Sequence, residues 1–268
     1  MERSRLKNII ILILLLLNAC LAGILLVRAA EAQRSRKYTA QELTQLFASS
    51  DVSLELDQIP SDTPPSARVL VRDASADQGI ADFLLGGSAQ ETDEGGGLLS
   101  FSSQTGQGVF RANGVFTVSG HLSEEDPQDL CRKFCRLFGY RELTFSLENG
   151  SGTATAVQYY EGYPVSNATV EFRIEDHCLV SVNGYHLPDT YSAQETGDTA
   201  VLTAATALTR LLEALSGGTV FSAVQGLSLC YELQSSTAVP MSLSPSWDIA
   251  TDTGVYSVNC LTGAVSRR

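Results

Sequence analysis

Apolar residues follow two different patterns along this chain. From Ile9 to Val27 they run together for 19 residues, with Asn18 alone in the middle. A helix of that length rises about 28 Å, close to the roughly 30 Å hydrocarbon core of a bilayer. Beyond residue 37 the apolar positions are spaced, either at helical intervals or in alternation with polar ones. Thr39, Glu42 and the stripe Leu43, Leu46, Phe47 predict a capped helix over Tyr38–Ser49. A Pro/Ser/Asp linker, Asp57–Ser66, leads to a strand at Ala67–Arg72, and Gly86–Gly97 reads as an acidic glycine-rich loop. Short strands follow at Leu98–Ser102, Gly108–Ala112 and Val115–Ser119, with Asn113-Gly114 as a hairpin turn.

A helix opens at Ser123, carries Glu124, Glu125 and Asp126 in its first turn, buries Leu130, Phe134, Leu137 and Phe138, and stops at Gly139. Four alternating segments come next: Glu142–Leu147, Thr153–Tyr160, Thr169–Ile174 and Cys178–His186. The tight connections at Glu161–Pro164 and Glu175-Asp176 predict an antiparallel meander. A helix over Asp198–Leu215, stopped by Gly217-Gly218, precedes closing strands at Val220–Leu233, Ser246–Thr251 and Val255–Cys260. The order helix, strands, helix, strands predicts an α+β fold in which helix-plus-antiparallel-sheet units repeat behind one N-terminal transmembrane helix. The chain divides into a basic stub, anchor and juxtamembrane segment (1–37), an N-terminal α+β subdomain (38–120) and a larger α+β domain (121–268).

The first 37 residues admit three readings. Arg3, Arg5 and Lys7 precede the apolar run and Arg28, Arg34, Arg36 and Lys37 follow it. A short basic stub stays inside, so an uncleaved anchor places the C-terminal domain outside. Ala30-Glu31-Ala32 has the form of a cleavage site, although the run exceeds the usual secretory h-region. Leu17-Asn18-Ala19-Cys20 loosely matches a lipobox, against which Leu21–Val27 continue the run. On the anchor reading, Asn18, Ala19, Ala22 and Gly23 share a stripe with Leu15 and Leu26. Small residues four apart let a second helix approach, and an amide at mid-membrane favours a hydrogen-bonding partner helix.

Setting aside residues 1–37, which hold Glu2, Glu31 and seven basic residues, leaves 28 acidic and 11 basic side chains, a net charge of −17. Such a domain is repelled by phosphate backbones, so nucleic acid is excluded as a partner. Five cysteines lie beyond Cys20: Cys131, Cys135, Cys178, Cys230 and Cys260. The odd number does not make a closed disulfide framework. Small buried hydrophobes, one disulfide and a zinc site are the readings left open. Zinc ranks last, because no CxxC pair exists and His177 and Cys178 point to opposite faces of a strand.

Several segments together resemble a known family. They are the basic N-terminus with its Asn-bearing apolar helix, Tyr159-Tyr160-Glu161-Gly162-Tyr163-Pro164-Val165-Ser166-Asn167, and Asn183-Gly184-Tyr185. The closing stretches Pro245–Ile249 and Tyr256–Val265 complete the set. Their order is similar to that in the YycI (WalI) family, the YycH/YycI-type regulators of the WalK/WalR two-component system of Gram-positive bacteria. The closing stretch is also similar to a PepSY-type strand pair. The resemblance covers residues 150–268 more fully than the anchor, and residues 50–120 carry none of it. It implies a single-pass anchor, an extracytoplasmic α+β domain, and two partners: a YycH-like protein and a WalK-like sensor histidine kinase met through transmembrane helices.

No Gly-x-Ser-x-Gly, HExxH, Walker A or dinucleotide fingerprint occurs, and the three histidines are His121, His177 and His186. The acidic clusters Asp93-Glu94, Glu124–Asp126 and Glu175-Asp176 have the residue type of paired glycosidase carboxylates but read as solvated loop and helix-start charges. The expectation is therefore a non-enzymatic regulatory binding protein without a cofactor. Its alternative is a PepSY-like inhibitor or chaperone of an extracellular peptidase. Tyr159, Tyr163, Pro164 and Asn167 are the candidate partner surface on the outer domain, since tyrosines serve both sheets and interfaces.

Overall fold

A computed structural model describes residues 14–18, 20–23, 38–71, 74–87, 89–122, 126–187, 191–192, 201–214, 221–236 and 239–268. Residues 14–18 and 20–23 are helical and exposed. Most of the predicted anchor, including Ala19, lies outside the described residues, and among these no helix is long and apolar enough to cross a membrane. Helix α1 covers 38–49. After it come β1 (Arg68–Leu70), α2 (Ala74–Leu85), β2 (Gln90–Gly95), β3 (Leu98–Ser102), β4 (Gly106–Arg111) and β5 (Val115–Gly120). The middle holds α3 (Pro127–Leu137), β6 (Tyr140–Glu148), β7 (Ser151–Tyr160), β8 (Tyr163–Glu175), β9 (Cys178–Tyr185) and β10 (Tyr191–Ser192). The chain closes with α4 (Ala204–Ala214), β11 (Val224–Ser236), β12 (Val239–Thr251), β13 (Gly254–Asn259) and β14 (Val265–Arg267).

Among the described residues these strands form one mixed α+β assembly dominated by a single 14-stranded sheet. Its main path runs β10-β1-β12-β11-β8-β9-β5-β4-β3-β2. Strands β6 and β7 attach to β8, and β13 and β14 attach to β12. Every strand pairing is antiparallel except β8 with β11, which are parallel and in register at Val165 and Tyr231. The predicted meander is present as β6–β9.

Helices α2 and α3 lie on one face of the β3–β9 region. Ile80, Ala81, Leu84, Leu130, Cys131, Phe134 and Cys135 pack there against Phe101, Phe110, Phe116, Phe172 and Val182. Phe134 is the hub, its ring centroid 4.7 Å from Phe138, 5.3 Å from Phe172 and 5.6 Å from Tyr140. Helices α1 and α4 form a second core with β11–β13. There Leu43, Phe47, Ala207, Leu208 and Leu211 meet Leu229, Trp247, Ile249 and Val258. The indole Nε1 of Trp247 donates to Leu202 O at 3.0 Å, satisfying the polar edge of a fully buried ring. A third, smaller cluster joins the two: Leu70, Tyr160, Val165, Ala168, Leu187, Tyr231, Leu233, Met241 and Leu243.

Several local expectations change; Leu137, expected on the buried face of α3, is 65% exposed. Gly86–Gly97 is not a loop throughout: Gln90–Gly95 forms β2, an edge strand with every residue exposed. Pairing with the apolar strand β3 supplies its order where its own composition does not. Helix α3 begins at Pro127, capped by Asp126, whose carboxylate accepts from Gln128 N at 3.2 Å; Ser123 lies outside the described residues. Helix α4 runs from Ala204, preceded by Thr203, whose Oγ1 accepts from Thr206 N. Helix α2 has no counterpart in the hydrophobic pattern, because Asp77 and Gly79 interrupt its apolar spacing. Asp77 is nonetheless buried, at 6% exposure.

The Asn113-Gly114 turn joins β4 to β5 as its residues predict, and it also touches the second half of the chain. Gly114 sits at φ +82, and its carbonyl accepts from His186 N at 2.8 Å. A Cβ there would fall 2.8 Å from His186 O and 2.9 Å from Met241 Sδ. Gly114→Ala should therefore destabilise by about 1–3 kcal/mol, through left-handed strain and the backbone collision. Chemical denaturation of the variant reads this directly, and an unchanged midpoint would contradict it. Burial also pushes the thiols of Cys131, Cys135, Cys230 and Cys260 from near 9 up to about 12. The unfolded chain releases these protons first, so the native state should hold full stability below pH 9 and lose it progressively between pH 9 and 12. A pH series of melting temperatures should show that decline, and it should be shallower in a Cys131→Ala/Cys135→Ala variant.

Candidate functional site

The candidate surface Tyr159–Asn167 is the β7–β8 hairpin, and it stands where the two large cores meet. Tyr160 pairs with Tyr163 and Tyr159 with Pro164, after which the register slips until Val157 pairs with Thr169. Four residues of β8, Val165–Ala168, thus stand opposite one residue of β7, Gln158. This bulge releases β8 from β7 and turns it toward β11. Inside it, the Asn167 amide replaces a piece of strand. Its Nδ2 donates to Leu233 O at 2.8 Å and its Oδ1 accepts from Leu233 N at 2.7 Å. Beyond the bulge, burial alternates strictly from Ala168 to Glu175.

Tyrosines fill the junction beside this clamp. The rings of Tyr160 and Tyr163 meet Tyr231 nearly edge-on, at 5.9 and 6.0 Å. The Tyr231 hydroxyl donates to Ser66 O at 2.9 Å, and Arg68 bonds Glu161 in the hairpin turn at 3.4 Å. Burial raises the Tyr231 hydroxyl pKa, and nearby Glu161 adds to the shift. Tyr163 is half-buried between the second and third clusters. Tyr159 faces outward. Its hydroxyl donates to Glu142 Oε1 at 2.5 Å, the main cause of its raised pKa, and the Arg141 guanidinium lies 4.8 Å from the ring centroid. Glu142 holds φ +57 at the bulge between β6 and β7. Within the candidate surface, then, Tyr163 is half-buried at the junction, Asn167 is exposed while its amide bonds the Leu233 backbone, and Tyr159 presents a ring fixed between a cation and a carboxylate.

The remaining sequence candidates are spread out. Asn18, Ala22 and Gly23 are helical and exposed, and nothing lies within 4 Å of a Cβ built on Gly23. Asp93 and Glu94 lie on the exposed edge strand β2, Asp126 caps α3, and Glu175 pairs with Arg173 at 2.7 Å. Among the described residues no three potential metal ligands converge. A half-open groove of about 270 Å³ runs between α1, the Ile59–Pro64 segment and the start of α4, with walls that include Ala40, Ile59, Pro60, Val201 and Ala204. One contact was not legible in the sequence: Cys178 meets His121, 57 positions away, rather than its neighbour His177.

No family model matches the chain, and no curated protein matches it. Among the solved structures that are similar, two at low identity illustrate the likeness. An uncharacterized protein from Eubacterium rectale shares 12% identity over 77% of this chain and 86% of its own, with a TM-score of 0.43. The C-terminal domain of Bacillus megaterium YpeB shares 11% identity over 74% of this chain and 98% of its own, with a TM-score of 0.34.

The clamp geometry makes Asn167 the side chain of the hairpin with most to lose. Asn167→Ala strips partners from both Leu233 N and Leu233 O and should lower stability by about 1–3 kcal/mol. Asn167→Asp keeps an acceptor for Leu233 N but sets a carboxylate against Leu233 O, so it should destabilise as well. Tyr159→Phe removes only a surface hydroxyl and should stay within about 0.5 kcal/mol of the parent. Urea midpoints for the three variants test the ranking, and an Asn167→Ala midpoint equal to that of Tyr159→Phe would refute it.

Proposed function

We propose that this chain is a single-pass, membrane-anchored regulatory protein. Its extracytoplasmic domain, built of PepSY-like units, works with a YycH-like partner to modulate a WalK-like sensor histidine kinase governing cell-wall homeostasis. The observation that carries the reading is the 19-residue apolar run Ile9–Val27 behind a basic stub, with Asn18, Ala19, Ala22 and Gly23 on one stripe. The family resemblance of residues 150–268 points the same way. The physics needs no catalytic group. A kinase bundle with two packings a few kcal/mol apart changes output when a neighbouring helix packs better against one of them. The amide of Asn18 contributes roughly 1 kcal/mol when it finds a partner across helices. The outer domain holds that helix in place and adds contacts through the face that carries Tyr159 and Pro164.

Asn18→Leu leaves the run more apolar, and Gly23→Leu fills the small-residue groove. Both should weaken co-purification with the sensor kinase and shift transcription from its regulon, while the melting temperature of the outer domain stays constant. Full co-purification and normal output from both variants would overturn the reading. Recovery of an extracellular peptidase in place of a kinase would replace it with the inhibitor or chaperone alternative.

A further inference from the structure

The odd cysteine count finds a physical explanation in the fold. Cys131, Cys135, Cys230 and Cys260 are buried, whereas Cys178, the first residue of β9, is half-buried. Its Sγ lies 3.1 Å from His121 Nδ1 and 3.8 Å from Nε2. Two fixed segments hold the pair together. His121 N donates to Thr105 O at 2.8 Å, and Leu122 N donates to Leu179 O at 3.0 Å, so each partner of the thiol–imidazole contact has a backbone tie within one residue. His177, adjacent in sequence, is turned away: its ring covers Gly150, where a Cβ would fall 2.3 Å from Nε2. Cys178 lies opposite Glu175 in register, and Glu175 is engaged by Arg173. The imidazole of His121 is exposed, so a small solute has access to the pair.

We propose that Cys178 and His121 form a thiol–imidazole pair that makes Cys178 the site of covalent modification by low-molecular-weight disulfides. His121 Nδ1 accepts the Sγ proton as the sulfur attacks one sulfur of the disulfide. The new Sγ–S bond forms as the S–S bond of the small molecule breaks. The departing thiolate takes the proton back from His121 and leaves as a thiol. The small disulfide is the oxidant: one of its sulfurs ends as a free thiol and Cys178 ends as a mixed disulfide. The four other thiols beyond Cys20 are buried away from solvent, and burial keeps them protonated. The inference is independent of which partner the chain regulates.

The test uses the full chain in detergent with Cys20→Ser, so that only the five outer cysteines remain, and oxidised glutathione as the probe. Peptide mass mapping after short exposure should find one adduct, on Cys178. His121→Ala should slow its formation by about a hundredfold, the low end of the scale for a lost general base. His121→Gln keeps a polar group beside the sulfur but no base, and it should slow the reaction similarly while the melting temperature holds. An adduct forming as fast on another cysteine would overturn the proposal. Reaction of both His121 variants at the parental rate would overturn it equally.

Discussion

The fold depends on one strand that changes partners within the sheet. Residues Val165–Ala168 of β8 bulge away from β7, Val165 pairs with Tyr231 of β11, and the Asn167 amide closes the gap with two hydrogen bonds to the Leu233 backbone. A part-buried backbone amide and carbonyl left without protein partners carry a desolvation penalty of up to about 1–3 kcal/mol each, and the Asn167 side chain offsets it by supplying the missing edge. Asparagine suits the position because its carboxamide has the same donor and acceptor pair as a peptide group. Tyr160, Tyr163 and Tyr231 then fill the wedge between the two cores, and the Tyr231 hydroxyl donates to the Ser66 carbonyl.

This junction gives the molecule a mechanical character. The first core hangs α2 and α3 on one stretch of sheet, the second hangs α1 and α4 on another, and β8 runs from the first core into the small cluster that joins the two. Helix α1, which follows the apolar N-terminal run after a short basic stretch, packs directly into the second core through Leu43 and Phe47. Dense cores transmit displacement because they have few voids to absorb it.

Much of this organisation could be read from the chain. Alternation set the meander β6–β9, the Asn-Gly pair set the β4–β5 turn, and the stripe Leu43, Leu46, Phe47 marked α1. Two things escaped. Helix α2 carries a buried aspartate and a glycine, so its helical order comes from Ile80, Ala81 and Leu84 docking on the sheet and not from local periodicity. Strand β2 has the composition of a loop and is ordered by its partner. The candidate hairpin was visible as a turn flanked by tyrosines, but the sequence gives no hint that Asn167 would clamp Leu233, 66 positions away. The Cys178–His121 contact was hidden for the same reason. Both are long-range pairings that topology creates and spacing cannot encode.

The central claim is that β8 and its clamp fuse the two large cores into one cooperative unit. Trp247, the chain's single tryptophan, is fully buried in the second core, and Val118 and Phe172 are fully buried in the first. The direct measurement compares, in one denaturant series on the full chain, Trp247 fluorescence with hydrogen-exchange protection of the Val118 and Phe172 amides. The account predicts that both probes report one transition with one midpoint. Loss of the Trp247 signal at a denaturant concentration where the Val118 and Phe172 amides remain protected would show two independent units and contradict it.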